Sequence, residues 1–170
     1  MVVLPECWNS PYGVQYFNDY AEDFGGLWER VKRPIDRRSA SRDAQSSAAE
    51  EEATLLRRWG IDGLGGAAAE VDFTSSCKSE SLAMLSSIAK ELGIVLVGGS
   101  IPERNPSSGK LFNTATVFDE KGRLIAIHRK VHLFDIDIPG KMTFQESLTL
   151  TGGDRLTVFE CCKYSKKRCV

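Results

Sequence analysis

SESLAMLSSIAKELGIVLVGG, residues 79–99, decides the fold of this chain. Its first part has apolar side chains at helical spacing, a serine that can cap the first turn and a glycine where the helix would end: Leu82, Leu85, Ile88, Ala89 and Leu92 between Ser79 and Gly93. Residues 94–97 are all apolar and predict a buried strand that ends at the glycine pair 98–99. Because a helix that leads into such a strand is half of an α/β unit, the sequence predicts an α/β fold.

A second stretch predicts a β-hairpin. Residues 114–118 and 124–130 are strand-like, and residues 119–122 between them are turn formers. Since strand side chains alternate, one face of the second strand is expected to carry Leu124, Ala126, His128 and Lys130. Two more strands are expected at residues 1–4 and 156–159, and the unbroken apolar run at 1–4 predicts cover on both of its faces.

The remaining segments lack a sustained apolar period. In residues 24–78, arginines alternate with serine, alanine and glycine, and three successive glutamates interrupt them. We predict that residues 24–78 are a disordered insertion, because a long structureless loop is foreign to a compact domain. Residues 161–170 are basic and are expected to be a tail outside the fold. The domain is therefore predicted to comprise residues 1–23 and 79–160.

Length and composition exclude several classes of protein. A chain of 170 residues is enough for one domain, and 22 basic against 23 acidic side chains give a net charge of -1, which argues against a nucleic-acid partner. No apolar run is long enough for a membrane span, and no signal peptide is recognisable. The five cysteines are an odd number without a disulfide pattern. We expect a cytoplasmic protein with reduced thiols; an organelle address lost with a missing N-terminus is the alternative.

Two residues at strand ends are candidates for catalysis. Glu6 directly follows the first apolar strand, where a fixed carboxylate can act as a general base. Lys130 ends the hairpin and can direct an ammonium at a developing oxyanion. From position alone, an ordinary solvated charge at a strand end is the commoner case for each side chain.

Metal and phosphate sites are not expected. His128 and His132 lie four residues apart, but on a strand that runs into a loop this spacing does not align them as ligands. Residues 98–100 contain the glycines of a phosphate loop but lack its lysine and hydroxyl pair. We therefore expect neither a metal site nor a phosphate loop at these residues.

Five longer motifs carry a resemblance to a known family. They are LPECWNSPYG (4–13), GGSIPE (98–103), LFNT (111–114), HRKVHLFDIDIPGK (128–141) and FQES (144–147). Together they resemble the nitrilase, or carbon-nitrogen hydrolase, superfamily, and within it the omega-amidases. The resemblance covers residues 1–23 and 79–160.

The resemblance implies a fold, a site and a reaction. It implies an α-β-β-α sandwich that pairs with another subunit, here a partial one truncated at both ends. Glu6 matches the general base, Lys130 the residue that stabilises the tetrahedral intermediate, Glu146 the supporting glutamate, and Tyr12 a substrate-binding residue. Omega-amidases hydrolyse the terminal amides of 2-oxoglutaramate and 2-oxosuccinamate through a cysteine nucleophile, without a cofactor.

The nucleophile is the point at which the sequence departs from the family. The family has a Gly-x-Cys-Tyr-Asp motif shortly after the position of Phe159, and here the basic tail stands in that place. Cys169 is a weak substitute, because its neighbours do not form an apolar strand. Two interpretations stay open: an omega-amidase acting on a small amide, or a catalytically silent fragment that lacks the nucleophile and associates with full-length subunits.

Overall fold

The computed structural model describes residues 1–28, 77–160 and 168–169. In chain order its elements are β1 (Val2–Val3), α1 (Phe17–Tyr20), β2 (Glu22–Asp23), α2 (Glu80–Leu92), β3 (Leu96–Arg104), β4 (Leu111–Phe118), β5 (Leu124–Arg129), β6 (Asp135–Ile138), β7 (Met142–Gln145), a 3-10 turn (Glu146–Leu148), β8 (Phe159–Glu160) and β9 (Arg168–Cys169).

A mixed sheet is the centre of the described structure. β3, β4 and β5 are neighbouring antiparallel strands, while β1 and β2 both pair parallel with β3, at its beginning and at its end. α2 packs on this sheet. The predicted α/β class is therefore confirmed. The helices in the described part of the chain are too short and too polar to cross a lipid bilayer.

α2 begins and ends where the sequence predicts. The Ser79 hydroxyl accepts a hydrogen bond from the backbone N–H of Leu82 at 3.1 Å, and Gly93 ends the helix with a φ of 60°. The inward face consists of Leu82, Leu85 and Ala89. Leu92, expected on this face, is instead 62% exposed, because it lies in the last turn, past the edge of the core.

The predicted end of a strand at the glycine pair is wrong. β3 continues through Gly98 and Gly99 to Arg104, with an irregularity in its pairing to β4 at the two glycines. Gly99 has a φ of +61°, and a Cβ there would lie 2.1 Å from the carbonyl oxygen of Pro5. Only glycine allows this approach. The backbone of residues 4–8 thereby lies against β3, with the Ser100 N–H donating to the Pro5 carbonyl at 3.2 Å.

The hairpin forms as predicted, but its faces differ from the prediction. Val117 is opposite Ala126, whereas Phe118 is opposite Leu124, so the pairing skips Ile125 in a β-bulge. Leu124 consequently packs in the cluster under α2, and Ala126 packs in a second cluster with Val117. The bulge breaks the simple alternation that placed Leu124 and Ala126 on one face.

The first and last predicted strands are also shorter or more open than expected. β1 lies at the edge of the sheet, and its residues Val2 and Val3 are 44% and 62% exposed, so the predicted cover on both faces is wrong for the described structure. β8 comprises Phe159–Glu160, not residues 156–159, and pairs antiparallel with β9.

Buried residues extend beyond the predicted domain boundaries at 23 and 79. Phe24, Leu27, Trp28 and Cys77 belong to the same buried cluster as the inner face of α2. Arginines and serines are far more frequent in residues 24–78 than these few apolar side chains. The composition of the segment therefore gives no indication that its ends contribute to the core. The remainder of the predicted insertion, residues 29–76, and most of the predicted tail lie outside the described residues, and the three-part division stays a prediction.

Candidate active site

Three charged residues from distant parts of the chain meet around one ammonium group. Glu6 follows β1, Lys130 follows β5, and Glu146 opens the 3-10 turn after β7. The Lys130 Nζ lies 2.8 Å from Glu6 Oε1 and 2.9 Å from Glu146 Oε2. The structure thus brings together the three residues that the resemblance singled out, with the lysine between the two carboxylates.

Glu146 is the fully buried member of this group. Its side chain has no exposed surface, and it accepts hydrogen bonds from the Phe134 N–H at 2.6 Å and from the Tyr12 hydroxyl at 2.7 Å. Burial alone would raise the pKa of Glu146, but the hydrogen bonds from Phe134, Tyr12 and Lys130 outweigh it and hold that pKa below its ordinary value. Glu146 is therefore a permanent negative charge beside Lys130 at neutral pH.

Lys130 is held in its charged form. Burial would lower the pKa of its ammonium, but the hydrogen bonds and charges of Glu6 and Glu146 outweigh burial and raise that pKa. Its side chain is 25% exposed, so part of it faces solvent. A fixed, charged ammonium on a partly exposed side chain is suited to stabilising a developing oxyanion.

Glu6 combines a fixed orientation with exposure. Its Oε1 accepts a second hydrogen bond, at 2.7 Å, from Nδ2 of Asn113, which lies on β4. The Glu6 side chain is 45% exposed. Asn113 and Lys130 both donate to Oε1, and nearly half of the Glu6 side chain is exposed. A bound amide can therefore approach the Glu6 carboxylate from its exposed side.

Asn113 is the member of this site that sequence reasoning missed. It lies in the LFNT motif, but the sequence alone indicates no role for it. Asn113 is 2% exposed, in a strand whose other residues are apolar or threonine. A buried amide in a strand needs a polar partner, and this was the available signal; the sequence does not reveal that the partner is Glu6, over a hundred residues away.

Tyr12 supports Glu146 in this structure. Besides donating to Glu146, its ring stacks on Phe144 at 5.6 Å and meets Phe17 edge-on at 5.8 Å. Burial, followed by the hydrogen bond to Glu146, raises the pKa of the Tyr12 hydroxyl, which therefore stays protonated as a donor. Its expected contact with substrate stays a prediction.

Two cysteine side chains, Cys7 and Cys77, lie in the described ranges, and both are buried. Cys7 directly follows Glu6 with a φ of 46°, and burial raises the pKa of its thiol to about 11. Cys169, the predicted substitute nucleophile, pairs through its backbone with Phe159; its side chain, like Cys161 and Cys162, lies outside the described residues.

The histidines considered as metal ligands are not part of this group. His128 Nδ1 lies 3.1 Å from the Thr157 hydroxyl. Among the residues that the structure describes, no three histidine, cysteine or acidic side chains are grouped as a metal site would require.

Comparison with known proteins identifies the family. The carbon-nitrogen hydrolase family matches residues 1–163. Omega-amidase NIT2 of Xenopus tropicalis is 41% identical over 160 residues, which cover 94% of this chain and 38% of that protein. The human omega-amidase NIT2 is 39% identical over the same coverage. The chain thus spans less than half the length of these relatives.

Solved structures agree with this comparison. The crystal structure of Saccharomyces cerevisiae Nit3, a member of branch 10 of the nitrilase superfamily, superimposes with a TM-score of 0.52 and 32% identity, over 92% of this chain and 36% of that one. The resemblance seen in the sequence motifs is therefore confirmed, and with it the nitrilase type of α/β fold. This chain belongs to the carbon-nitrogen hydrolase family.

Proposed function

We propose that this chain is an amidase of the omega-amidase type, which hydrolyses the terminal amide of small 2-oxo dicarboxylic acid monoamides to ammonia and the dicarboxylate. The observation that carries the proposal is the position of the Lys130 ammonium, 2.8 Å from Glu6 and 2.9 Å from Glu146. The names of the omega-amidase relatives supply the class of amide, and 2-oxoglutaramate and 2-oxosuccinamate are the substrates to test.

The reaction needs a nucleophile, a proton carrier and a stabiliser of negative charge. A cysteine sulfur attacks the amide carbon while Glu6 takes the thiol proton, and the carbonyl electrons move onto oxygen. Lys130 donates a hydrogen bond to that oxyanion. Glu6 then gives its proton to the amide nitrogen, the C–N bond breaks, and ammonia leaves a thioester on the enzyme.

Hydrolysis of the thioester reuses the same groups. Glu6 takes a proton from a water molecule as its oxygen attacks the thioester carbon, and Lys130 stabilises the second oxyanion. When the C–S bond breaks, the proton returns from Glu6 to the sulfur, and the free carboxylic acid leaves. All atoms are then accounted for without a metal or an organic cofactor.

The supporting residues prevent the charged groups from moving during these steps. Glu146 is fixed by three hydrogen bonds and holds the Lys130 ammonium from its buried side. Asn113 fixes one oxygen of Glu6. Preorganised charges of this kind lower the barrier because they need no rearrangement in the transition state.

Ammonia release from 2-oxoglutaramate tests the proposal. We expect the 170-residue chain to release ammonia and the Glu6→Gln variant to lose activity by about 100-fold or more, the usual contribution of a general acid-base group. Glu120→Gln, which removes an exposed carboxylate in the hairpin turn, is the matched control and should retain activity. Equal rates for the parent and Glu6→Gln would overturn the proposal.

The nucleophile is tested in the same assay. Cys169 is the first thiol to replace, and Cys169→Ser should abolish ammonia release while leaving binding of the amide unchanged. If Cys169→Ser is fully active, Cys161 and Cys162 are the next thiols to replace, and the assignment of Cys169 is wrong.

A second candidate function follows from the state of the described thiols. Both are buried, and the raised pKa of Cys7 leaves almost no thiolate at neutral pH. A chain without a competent nucleophile would be a catalytically silent subunit that associates with intact members of its family. Co-purification of the tagged chain with an intact omega-amidase subunit would support this function, whereas a chain that stays monomeric in the mixture would count against it.

A further inference from the structure

A buried ion pair lies beside the candidate active site and plays no part in the chemistry described above. Arg129 and Glu103 have side chains that are 6% and 2% exposed. Arg129 donates through Nε to Glu103 Oε2 at 2.9 Å and through Nη2 to Glu103 Oε1, so the contact is bidentate. The Thr114 hydroxyl donates to Glu103 Oε2 at 2.6 Å. Both charges are therefore paired and further hydrogen-bonded.

Two aromatic rings enclose the guanidinium of this pair. The Arg129 Cζ lies 3.7 Å from the ring centroid of Phe112 and 4.3 Å from that of Trp28. Trp28 is itself buried, with 6% of its surface exposed. A planar guanidinium that is stacked on aromatic rings and held by a bidentate carboxylate has little freedom to rotate or shift.

Arg129 and Lys130 are consecutive residues, so a fixed Arg129 also restrains the backbone of Lys130. Arg129 is opposite Thr114 in the β4–β5 pairing, and the next residue, Lys130, donates its N–H to the carbonyl of Asn113 at 2.8 Å. Because neighbouring strand residues project to opposite faces, the ion pair lies on one face and the Lys130 and Asn113 side chains lie on the other. The ion pair thus fixes the strand ends from behind the site.

The loop after Leu150 holds the same two residues from a further direction. The Gly153 N–H donates to the Lys130 carbonyl at 2.8 Å. A Cβ on Gly153 would lie 2.2 Å from the Arg129 carbonyl oxygen, so the two backbones are in close contact. The backbone on both sides of the Arg129–Lys130 peptide is therefore held.

We propose that Arg129, Glu103 and Trp28 form a positioning unit that holds Lys130 between its two carboxylates. The Lys130 ammonium keeps contacts of 2.8 and 2.9 Å to Glu6 and Glu146, and a fixed backbone leaves only the torsions of its flexible stem free to disturb them. The inference deepens the proposed function, on which it rests for the catalytic role of Lys130. Trp28 makes the unit depend on a segment that the sequence predicts to lie outside the domain.

The pH dependence of Lys130 acylation tests the positioning unit without requiring catalysis. Acetic anhydride acylates an amine only in its neutral form, and peptide mass spectrometry reports the rate at each lysine of the folded chain. In the parent, the two carboxylates keep Lys130 charged, so it should react at pH 9 far more slowly than the exposed Lys110. In Arg129→Met, Lys130 should react faster, by about tenfold for each unit that its pKa falls.

Arg123→Met is the matched control. It removes an arginine that pairs with Asp119 at 2.6 Å at the other end of the same hairpin. Loss of this pair should leave the acylation of Lys130 unchanged. An equal increase in both variants would mean that any loosening of the hairpin exposes Lys130, and it would overturn the inference.

A milder pair of variants keeps the test valid if Arg129→Met fails to fold. Trp28→Leu keeps the ion pair but removes one aromatic face, and Trp28→Phe restores a ring. We expect faster acylation of Lys130 in Trp28→Leu and rescue in Trp28→Phe, with both chains folded by circular dichroism. If folded Trp28→Leu acylates as the parent does, the positioning role is refuted.

The same variants separate this inference from the proposed function. If the parent releases no ammonia but Lys130 acylation rises in the variants as predicted, the result counts against the proposed function and supports the positioning unit. If the parent releases ammonia but Lys130 acylation is unchanged in the variants, the proposed function is supported and the positioning unit is refuted.

Discussion

Replacement of Glu146 by glutamine measures how much the buried carboxylate contributes to the folded state. The substitution keeps the shape of the side chain but removes its charge and turns one oxygen into an N–H donor. The Oε2 atom accepts from the Phe134 N–H at 2.6 Å and contacts Lys130 Nζ at 2.9 Å, and Oε1 accepts from the Tyr12 hydroxyl at 2.7 Å. The variant keeps all three contacts only if its amide oxygen faces Phe134 and Lys130 and its amide N–H donates to the Tyr12 hydroxyl, which then accepts.

The magnitude follows from these contacts. Hydrogen bonds to charged groups contribute roughly 1.5–3 kcal/mol each, against about 1 kcal/mol for neutral ones, so loss of the charge weakens the three contacts by about 1 kcal/mol each. Lys130 is 25% exposed and keeps its contact with Glu6, so its share lies at the lower end of that range. We therefore expect Glu146→Gln to lower the free energy of unfolding by about 3 kcal/mol at pH 7. A typical domain has only about 5–15 kcal/mol in total.

The difference in free energy of unfolding between the parent and Glu146→Gln should also depend on pH. Because the pKa of Glu146 in the folded chain lies below its ordinary value of 4.5, its charge stabilises the fold fully above pH 4.5 and progressively less as the pH falls through the folded pKa. Urea unfolding followed by circular dichroism at pH 7 and at lower pH should show the gap between parent and variant shrinking below pH 4.5.

An exposed carboxylate provides the control for this experiment. Glu120→Gln, in the hairpin turn, should change the free energy of unfolding by less than about 0.5 kcal/mol at either pH. If Glu146→Gln behaves like Glu120→Gln, or if its effect does not depend on pH, the buried carboxylate is not charged in the folded chain and the reasoning is refuted.

Two further predictions concern Gly99 and Asn113. Gly99→Ala should lower the free energy of unfolding, measured in urea, by at least about 2 kcal/mol more than Gly109→Ala. Both glycines have positive φ, but only a Cβ at Gly99 would meet the Pro5 carbonyl oxygen, at 2.1 Å. Similar decreases in the two variants would contradict the close approach. Asn113→Leu should lower kcat/KM for ammonia release by about tenfold, because Glu6 loses one hydrogen bond that orients it; an unchanged value would remove Asn113 from the site.

Local features of the fold were predictable where the chain alone specifies them. The spacing of Leu82, Leu85 and Ala89, with Ser79 and Gly93 at the two ends, determines α2, and the structure confirms it. The strand end predicted at the glycine pair is wrong because a glycine with positive φ can either end a strand or permit a bulge within it. The close approach of Pro5 to Gly99, which decides between these, is a contact between distant residues.

The site was predictable only in part for the same reason. Motif resemblance singled out Glu6, Lys130 and Glu146, and their side chains meet in the structure. Arg129 also lies within one of these motifs, but the sequence indicates no role for it, because its partner Glu103 and the enclosing Trp28 are specified by the tertiary fold rather than by any local spacing. Buried polar pairs of this kind become visible only when the strands are aligned.

The contribution of Lys130 to turnover tests the central claim most directly. We would measure kcat/KM for ammonia release from 2-oxoglutaramate by the parent chain, by Lys130→Ala and by the control Lys110→Ala, whose lysine is exposed. The account predicts that Lys130→Ala loses about 100-fold or more, as expected for a group that stabilises the oxyanion, while Lys110→Ala retains the parent value. A parent that releases no ammonia, or a Lys130→Ala variant as active as the parent, would contradict it.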